Sequence, residues 1–287
     1  MNNIFEYLLD TTNYIIIVAV VTLGLAIIFG LMHIINMAHG EFMMMGAYMV
    51  VVANSFGISA WGAIIAAPLA IAFFGLAVEE ILIRRIHTRL AGTILATSGL
   101  ALVLRQGAVL IFGPGARTVQ PPLSTTVHIF QTPYPAYRLC VMGMTLLVIL
   151  SVYLLFFRTR WGLIARAVMI NREMASCLGV DSRHFDRITF AVGAGLAGFA
   201  GAIIAPTISI DPSMGSSYGA LAFLAVLLGG MASTLAPMVG AALLGSVQSL
   251  GATFISSTWA PAITLIMAIA SIRLFPRGLF RQKDRIV

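Results

Sequence analysis

The chain has 287 residues, 60% of them apolar and only 9% charged, with a mean hydropathy of +0.99, whereas an ordinary soluble domain carries about a quarter charged residues. That balance excludes a soluble enzyme. Seventeen basic side chains against ten acidic ones give +7, and all the basic ones except Lys283 are arginines gathered in short stretches, which suits membrane topology rather than a nucleic-acid surface.

A bilayer core accepts about 20 apolar residues per helix. Runs that meet or approach this lie at 13–35, 41–56, 58–83, 91–112, 138–157, 187–208, 218–232, 235–257 and 260–275. They predict an all-α polytopic membrane protein of about 8–10 transmembrane helices, in one domain over 1–287. Residues 1–13 lack the basic region of a cleavable signal peptide, so the first run is expected to stay. Basic residues cluster at Arg84, Arg85 and Arg89, at Arg158, Arg160, Arg166, Arg172, Arg183 and Arg187, and at Arg273, Arg277, Arg281, Lys283 and Arg285. Because Lys and Arg concentrate in cytoplasmic loops, all three clusters belong on the inner side. Nine spans then put the N-terminus outside and the C-terminus in the cytoplasm.

The first informative interruption is His33-Ile-Ile-Asn36-Met-Ala-His39-Gly40-Glu41. An acid at a helix centre costs about 2.5–3.5 kcal/mol on insertion scales, and the residues leave two readings open. In one, a helix broken at Gly40 lets Asn36, His39 and Glu41 line a water-accessible path or gate. In the other, a polar turn at the inner interface joins two spans and Glu41 caps the second. Further along, Glu79 and Glu80 lie close enough to Arg84 to pair with it at an interface. Thr97, Ser98 and Gln106 follow within one apolar run, either as interhelical hydrogen-bonding groups or as contacts for a solute.

The loop at 158–187 carries the second strong signal. Ile164, Ala167, Val168, Met174, Cys177 and Leu178 recur at helical spacing, Arg166, Arg172 and Glu173 point elsewhere, and Gly179 suits a helix stop. The spacing predicts a short amphipathic helix that rests on lipid headgroups or docks into a partner. Beyond it, Gly193, Ala197 and Gly201, with Ala194, Gly198 and Ala202, form two small-residue rows suited to close helix packing in lipid. No metal-ligand spacing and no Walker A loop is present, and Cys140 and Cys177 belong near opposite faces of the bilayer, too far apart for a disulfide. The chain is not expected to be an enzyme, to hold a cofactor, or to hydrolyse ATP unaided.

Three motifs together carry a resemblance. Gly24-Leu-Ala-Ile-Ile-Phe-Gly30-Leu-Met-His-Ile-Ile-Asn36-Met-Ala-His39-Gly40-Glu41-Phe, followed by Gly46-Ala-Tyr48, resembles the opening signature of the permease subunits of the branched-chain amino-acid ABC importer family. Asn171-Arg-Glu173-Met-Ala175-Ser-Cys-Leu-Gly179-Val resembles that family's cytoplasmic loop, especially in its urea-transport branch. Arg273-Leu-Phe-Pro-Arg-Gly278-Leu-Phe resembles its closing segment.

The resemblance implies a bacterial inner-membrane subunit that pairs with a second, related permease, two cytoplasmic ATPase subunits that bind the ATP, and an external solute-binding protein. The amphipathic loop then becomes a coupling helix, with Arg172, Glu173, Met174, Ala175, Leu178 and Gly179 engaging the ATPase. Met174 departs from the family's Glu-Ala-Ala…Gly element, and Ser216-Ser-Tyr218-Gly-Ala-Leu departs from the stretch common in relatives. The implied cargo is urea or a short amide first, a branched-chain amino acid second. From other classes stand a self-sufficient urea-type channel and an ion-coupled transporter with Glu41 as its coupling acid.

Overall fold

The computed structural model describes residues 2–86, 90–129, 132–230, 236–275 and 278. Arg89, Arg277, Arg281, Lys283 and Arg285, which the charge reading used, lie outside the described residues. Each of the nine apolar runs becomes helical: α1 (Asn2–Met32), α2 (His39–Ser55), α3 (Ala60–Val78), α5 (Leu90–Phe112), α6 (Ala136–Arg158), α9 (Ser182–Ile204), α10 (Met214–Gly229), α11 (Ala236–Phe254) and α12 (Ala260–Leu274). α3 continues through one π-helical turn, Glu79–Ile83, into the three residues of α4 (Arg84–Ile86). Five of these segments are long and apolar enough to cross a bilayer: Ile4–Met32, Ala60–Ile86, Ala91–Phe112, Ala136–Arg158 and Ser182–Thr207. α2, α10, α11 and α12 are shorter or more polar.

Pairwise contacts fix how the helices run. Near one end of α1, Asp10 pairs with Arg138 at the start of α6, and Tyr137 donates to the carbonyl of Ile203 at the end of α9 (2.8 Å). Near its other end, Leu31 lies by Arg172, just before α9 begins. α1 and α9 are therefore antiparallel. α11 also opposes α1, since Thr11 meets Ser249 (3.0 Å) and Tyr7 meets Phe254 edge-on. α12 returns beside α11 through a bond from Thr264 to Gln248 (2.7 Å). This arrangement gathers Arg84, Arg85, the 158–187 segment and Arg273 at a single end of the bundle, as the shared-side reading requires.

The small-residue rows place α9 at the centre. Gly193 packs on Gly24 and Ile28 of α1, Gly198 on Ile71 of α3, and Gly201 on the Met43 carbonyl of α2. Without a hydrophobic force between helices in lipid, such backbone approach is what holds them. At the end opposite that arginine cluster, a two-stranded antiparallel ribbon of β1 (Thr126–Ile129) and β2 (Thr132–Pro135) forms in the loop before α6. Apart from one isolated bridge, Arg117 with Ile210, it is the only strand pairing among the described residues. Cys140 and Cys177 are both free.

Candidate functional site

After Met32 the chain leaves the helix with His33 in the left-handed region (φ 55°) and runs non-helically to Ala38. Asn36 closes a local turn, its Oδ1 accepting from the N–H of Ala38 (3.1 Å). The Thr97 hydroxyl on α5 accepts from the N–H of Met37 (3.2 Å) and donates to the carbonyl of Thr93 (2.8 Å). His39 Nε2 then donates to the carbonyl of Val21 (3.0 Å). Val21 precedes the end of α1 by about 16 Å at the helical rise of 1.5 Å per residue. The segment therefore doubles back along α1 into the bundle, and α2 begins at depth.

This overturns the turn at the inner interface and moves the break. The helix is interrupted at 33–38, and Gly40 sits within α2, where it packs on Gly215 and Gly219 of α10. Asn36, His39 and Glu41 are all buried, Glu41 at 1% exposure. Glu41 lies in the first turn of α2, where the helix dipole favours an anion, and its Oε1 accepts from Arg105 Nη2 on α5 (2.7 Å). Its Oε2, together with His39 Nδ1, Asn36 Nδ2, Thr22 Oγ1 and Tyr48 Oη, takes no protein partner among the described residues. Buried polar groups of this kind are costly unless water or a second conformation serves them. They are polar groups within a core that is mostly apolar.

Of the predicted pathway residues, Asn36, His39, Glu41 and Thr97 therefore come together. Ser98 is half-buried one position round the helix, and Gln106 is exposed on the outer side of α5. Arg105, immediately before Gln106, is the member that sequence reasoning passed over. Its signal was available: a guanidinium inside an apolar run needs an acid at the same depth, and Glu41 was the acid in search of a partner.

At the arginine-rich end the predicted amphipathic helix is two helices, α7 (Arg160–Ile170) and α8 (Arg172–Cys177). They break at Asn171, whose backbone is extended and whose Oδ1 caps α8 through the N–H of Met174 (3.0 Å). Gly179, at φ +87°, stops α8 with Val180 bonded back to Ala175, a left-handed cap that suits glycine. The apolar residues do not form a buried stripe. Ala165, Val168 and Ala175 face inward, while Ile170, Met174 and Leu178 stand out at 84%, 59% and 80% exposure, with Glu173 exposed beside them.

What faces inward is a set of fastenings. Arg172 forks onto both carboxylate oxygens of Asp186 at the start of α9 and reaches toward the Leu31 carbonyl at the end of α1. Trp161 stacks on Phe185, with ring centroids 5.1 Å apart. Arg187 joins Glu79 and Glu80 on the π turn below α3, and Glu80 also pairs with Arg84. A cavity of about 470 Å³ opens among these charges. The two short helices are thus tied through α9 to the adjacent ends of α1 and α3, while their outward face stays apolar and bare.

Similarity to known proteins extends over nearly the whole length. The family model described as the permease component of branched-chain amino acid transport systems matches residues 7–272. The high-affinity branched-chain amino acid transport system permease protein BraD of Pseudomonas aeruginosa is 26% identical over 99% of this chain and 99% of its own. The permease protein LivH of Escherichia coli, of the same description, is 25% identical over 93% of this chain and 92% of its own. A probable branched-chain amino acid transport permease of Methanocaldococcus jannaschii is 26% identical over 47% of this chain.

Proposed function

The chain belongs to the permease-component family of branched-chain amino acid transport systems, and from that premise we propose that it is the membrane subunit of an ATP-driven importer of a branched-chain amino acid. The observation that carries the reading is the near full-length likeness to BraD and LivH, each described as a high-affinity branched-chain amino acid permease. The sequence motifs ranked urea or a short amide first; these relatives favour the amino acid.

In this reading the subunit lies in a bacterial inner membrane with its N-terminus outside and its C-terminus in the cytoplasm. It works beside a second, related permease, two cytoplasmic ATPase subunits and an external solute-binding protein. It is not itself catalytic: the ATP is bound and hydrolysed by the partners. The bare apolar face of Ile170, Met174 and Leu178, with Glu173 at its edge, seats in a hydrophobic groove of an ATPase subunit. When the ATPases close, the lever moves as a rigid body, and Arg172 on Asp186 and Trp161 on Phe185 hand that motion to α9. α9 carries α1, α2 and α3 with it through glycine contacts that leave no slack. A channel has no use for such a lever, which favours the driven importer.

The test is reconstitution in proteoliposomes with candidate ATPase subunits and binding protein, following labelled leucine and labelled urea. ATP-dependent leucine uptake, with urea at background, is the expected result. Urea uptake in preference to leucine reassigns the cargo, and uptake without the ATPase subunits replaces the importer with a channel.

A further inference from the structure

At the end opposite the arginine-rich lever, α1, α6, the end of α9, α10 and α11 border an open cavity of about 350 Å³, a size within the range of small-molecule sites. Asp10 and Arg138 stand side by side in its lining, and Ile17, Ile204 and Ile208 add aliphatic surface among polar neighbours that include Asn13, Gln248 and Ser249. Tyr14 and Tyr218, with ring centroids 6.1 Å apart, stand between this cavity and a second, more apolar one of about 520 Å³ that they also line.

The charged pair is not used up by its own contact. Asp10 accepts from both Arg138 Nη1 and the Tyr134 hydroxyl (2.9 Å), and both bonds fall on Oδ1. Burial, then the Asp10 carboxylate, pushes the Tyr134 hydroxyl above the ordinary tyrosine range, so it remains a donor. Asp10 therefore keeps Oδ2, and a guanidinium carries five N–H donors in a fork that matches a carboxylate. Both side chains are more than a third exposed, so a solute can reach them. A neutral amide or urea offers neither charge of a complementary pair; a free α-amino acid offers both.

We propose that this cavity is a binding site for a zwitterionic aliphatic amino acid on its way into the bundle. Arg138 takes the α-carboxylate, Asp10 takes the α-ammonium, and Ile17, Ile204 and Ile208 cover the branched side chain. The proposal rests on the amino-acid reading above and adds to it a subunit-borne contact for the cargo. Selection no longer depends wholly on the external binding protein: a solute lacking either head group is refused at the permease as well.

The test uses the intact importer carrying Ala252→Cys, a position on the cavity wall, with Cys140→Ala and Cys177→Ala to silence the native thiols. The rate of modification by a polar thiol reagent then reads occupancy without relying on transport. L-leucine is expected to slow modification at least tenfold, while leucinamide, which lacks the carboxylate, and 4-methylpentanoate, which lacks the ammonium, leave it unchanged. Adding Arg138→Gln is expected to abolish the protection. The swapped pair Asp10→Arg with Arg138→Asp keeps an ion pair but exchanges the charges along the wall, and is expected to import leucine at no more than a tenth of the parent rate. Unchanged modification in the presence of leucine, or full uptake by the swapped chain, overturns the proposal. If Arg138→Gln does not assemble, protection in the chain that keeps Arg138 decides alone. An importer that carries leucine without protecting the introduced thiol sinks this site only, whereas one that carries no amino acid sinks the reading beneath it.

Discussion

α9 and α5 are both 23-residue helices, and both contain segments apolar enough to cross a bilayer, yet they have opposite fates. In the most apolar window of α9 89% of residues are buried, and in that of α5 only 17%. The difference is side-chain size. α9 alternates Gly and Ala on faces that α1, α2 and α3 approach to backbone contact, whereas α5 presents Leu95, Leu102, Leu110 and Ile111 outward at 65% exposure or more. Hydropathy assigns a helix to the membrane, and small residues assign it to the middle of the bundle. α5 is joined to the rest at the polar points Thr97 and Arg105 and through the stack of Phe112 on Tyr48.

The contrast is sharpest where a glycine of α9 is filled. A Cβ at Gly201 would land on the Met43 carbonyl, so Gly201→Leu is expected to cost about 3 kcal/mol or more, seen as loss of folded protein by thermal denaturation in detergent. Next comes the ion-pair fastening of α5. Arg105→Ala strands a buried carboxylate, and because Arg105 is itself a third exposed the cost is about 2 kcal/mol rather than the full value for a buried pair. Glu41→Gln added to Arg105→Ala is expected to recover part of that loss; a double variant no better than the single one would mean that the charge was not what mattered.

Leu178→Ser should move stability by less than about 0.5 kcal/mol, because the side chain touches little. It is nevertheless expected to cut ATP-driven uptake at least tenfold, measured beside ATP hydrolysis in the same vesicles. Uptake at the parent rate would detach the lever from the ATPase. Smallest of all, Gln106→Ala on the outer face of α5 is expected to leave both melting temperature and uptake where they were. A loss of uptake there would return Gln106 to the pathway.

Those expectations follow the line between what was legible in the sequence and what was not. The helices were legible because a run of apolar residues in lipid has no other way to satisfy its backbone. The centrality of α9 was legible in Gly193, Gly198 and Gly201, whose spacing puts them on adjoining faces. The pairing of Glu41 with Arg105 was not, because two residues 64 positions apart meet only once the intervening helices are packed. The break at Asn171 was hidden for a different reason: the apolar spacing resumes in helical phase at Met174 beyond it, and the cap on Met174 shows only when the backbone turns. The inward fastenings of Arg172 and Trp161 were likewise unreadable, since each depends on where α9 begins relative to the loop.

The extended run between α1 and α2 has a mechanical meaning of its own. Helical rods in lipid cannot stretch, because each added ångström breaks a ladder bond that no solvent replaces. Within residues 33–38 only the two ends keep ladder bonds, His33 to the Phe29 carbonyl and Phe42 to the Ala38 carbonyl. If α2 is to slide along α1 at all, the length must be let out or taken up in those six residues, which serve the bundle as its expansion joint.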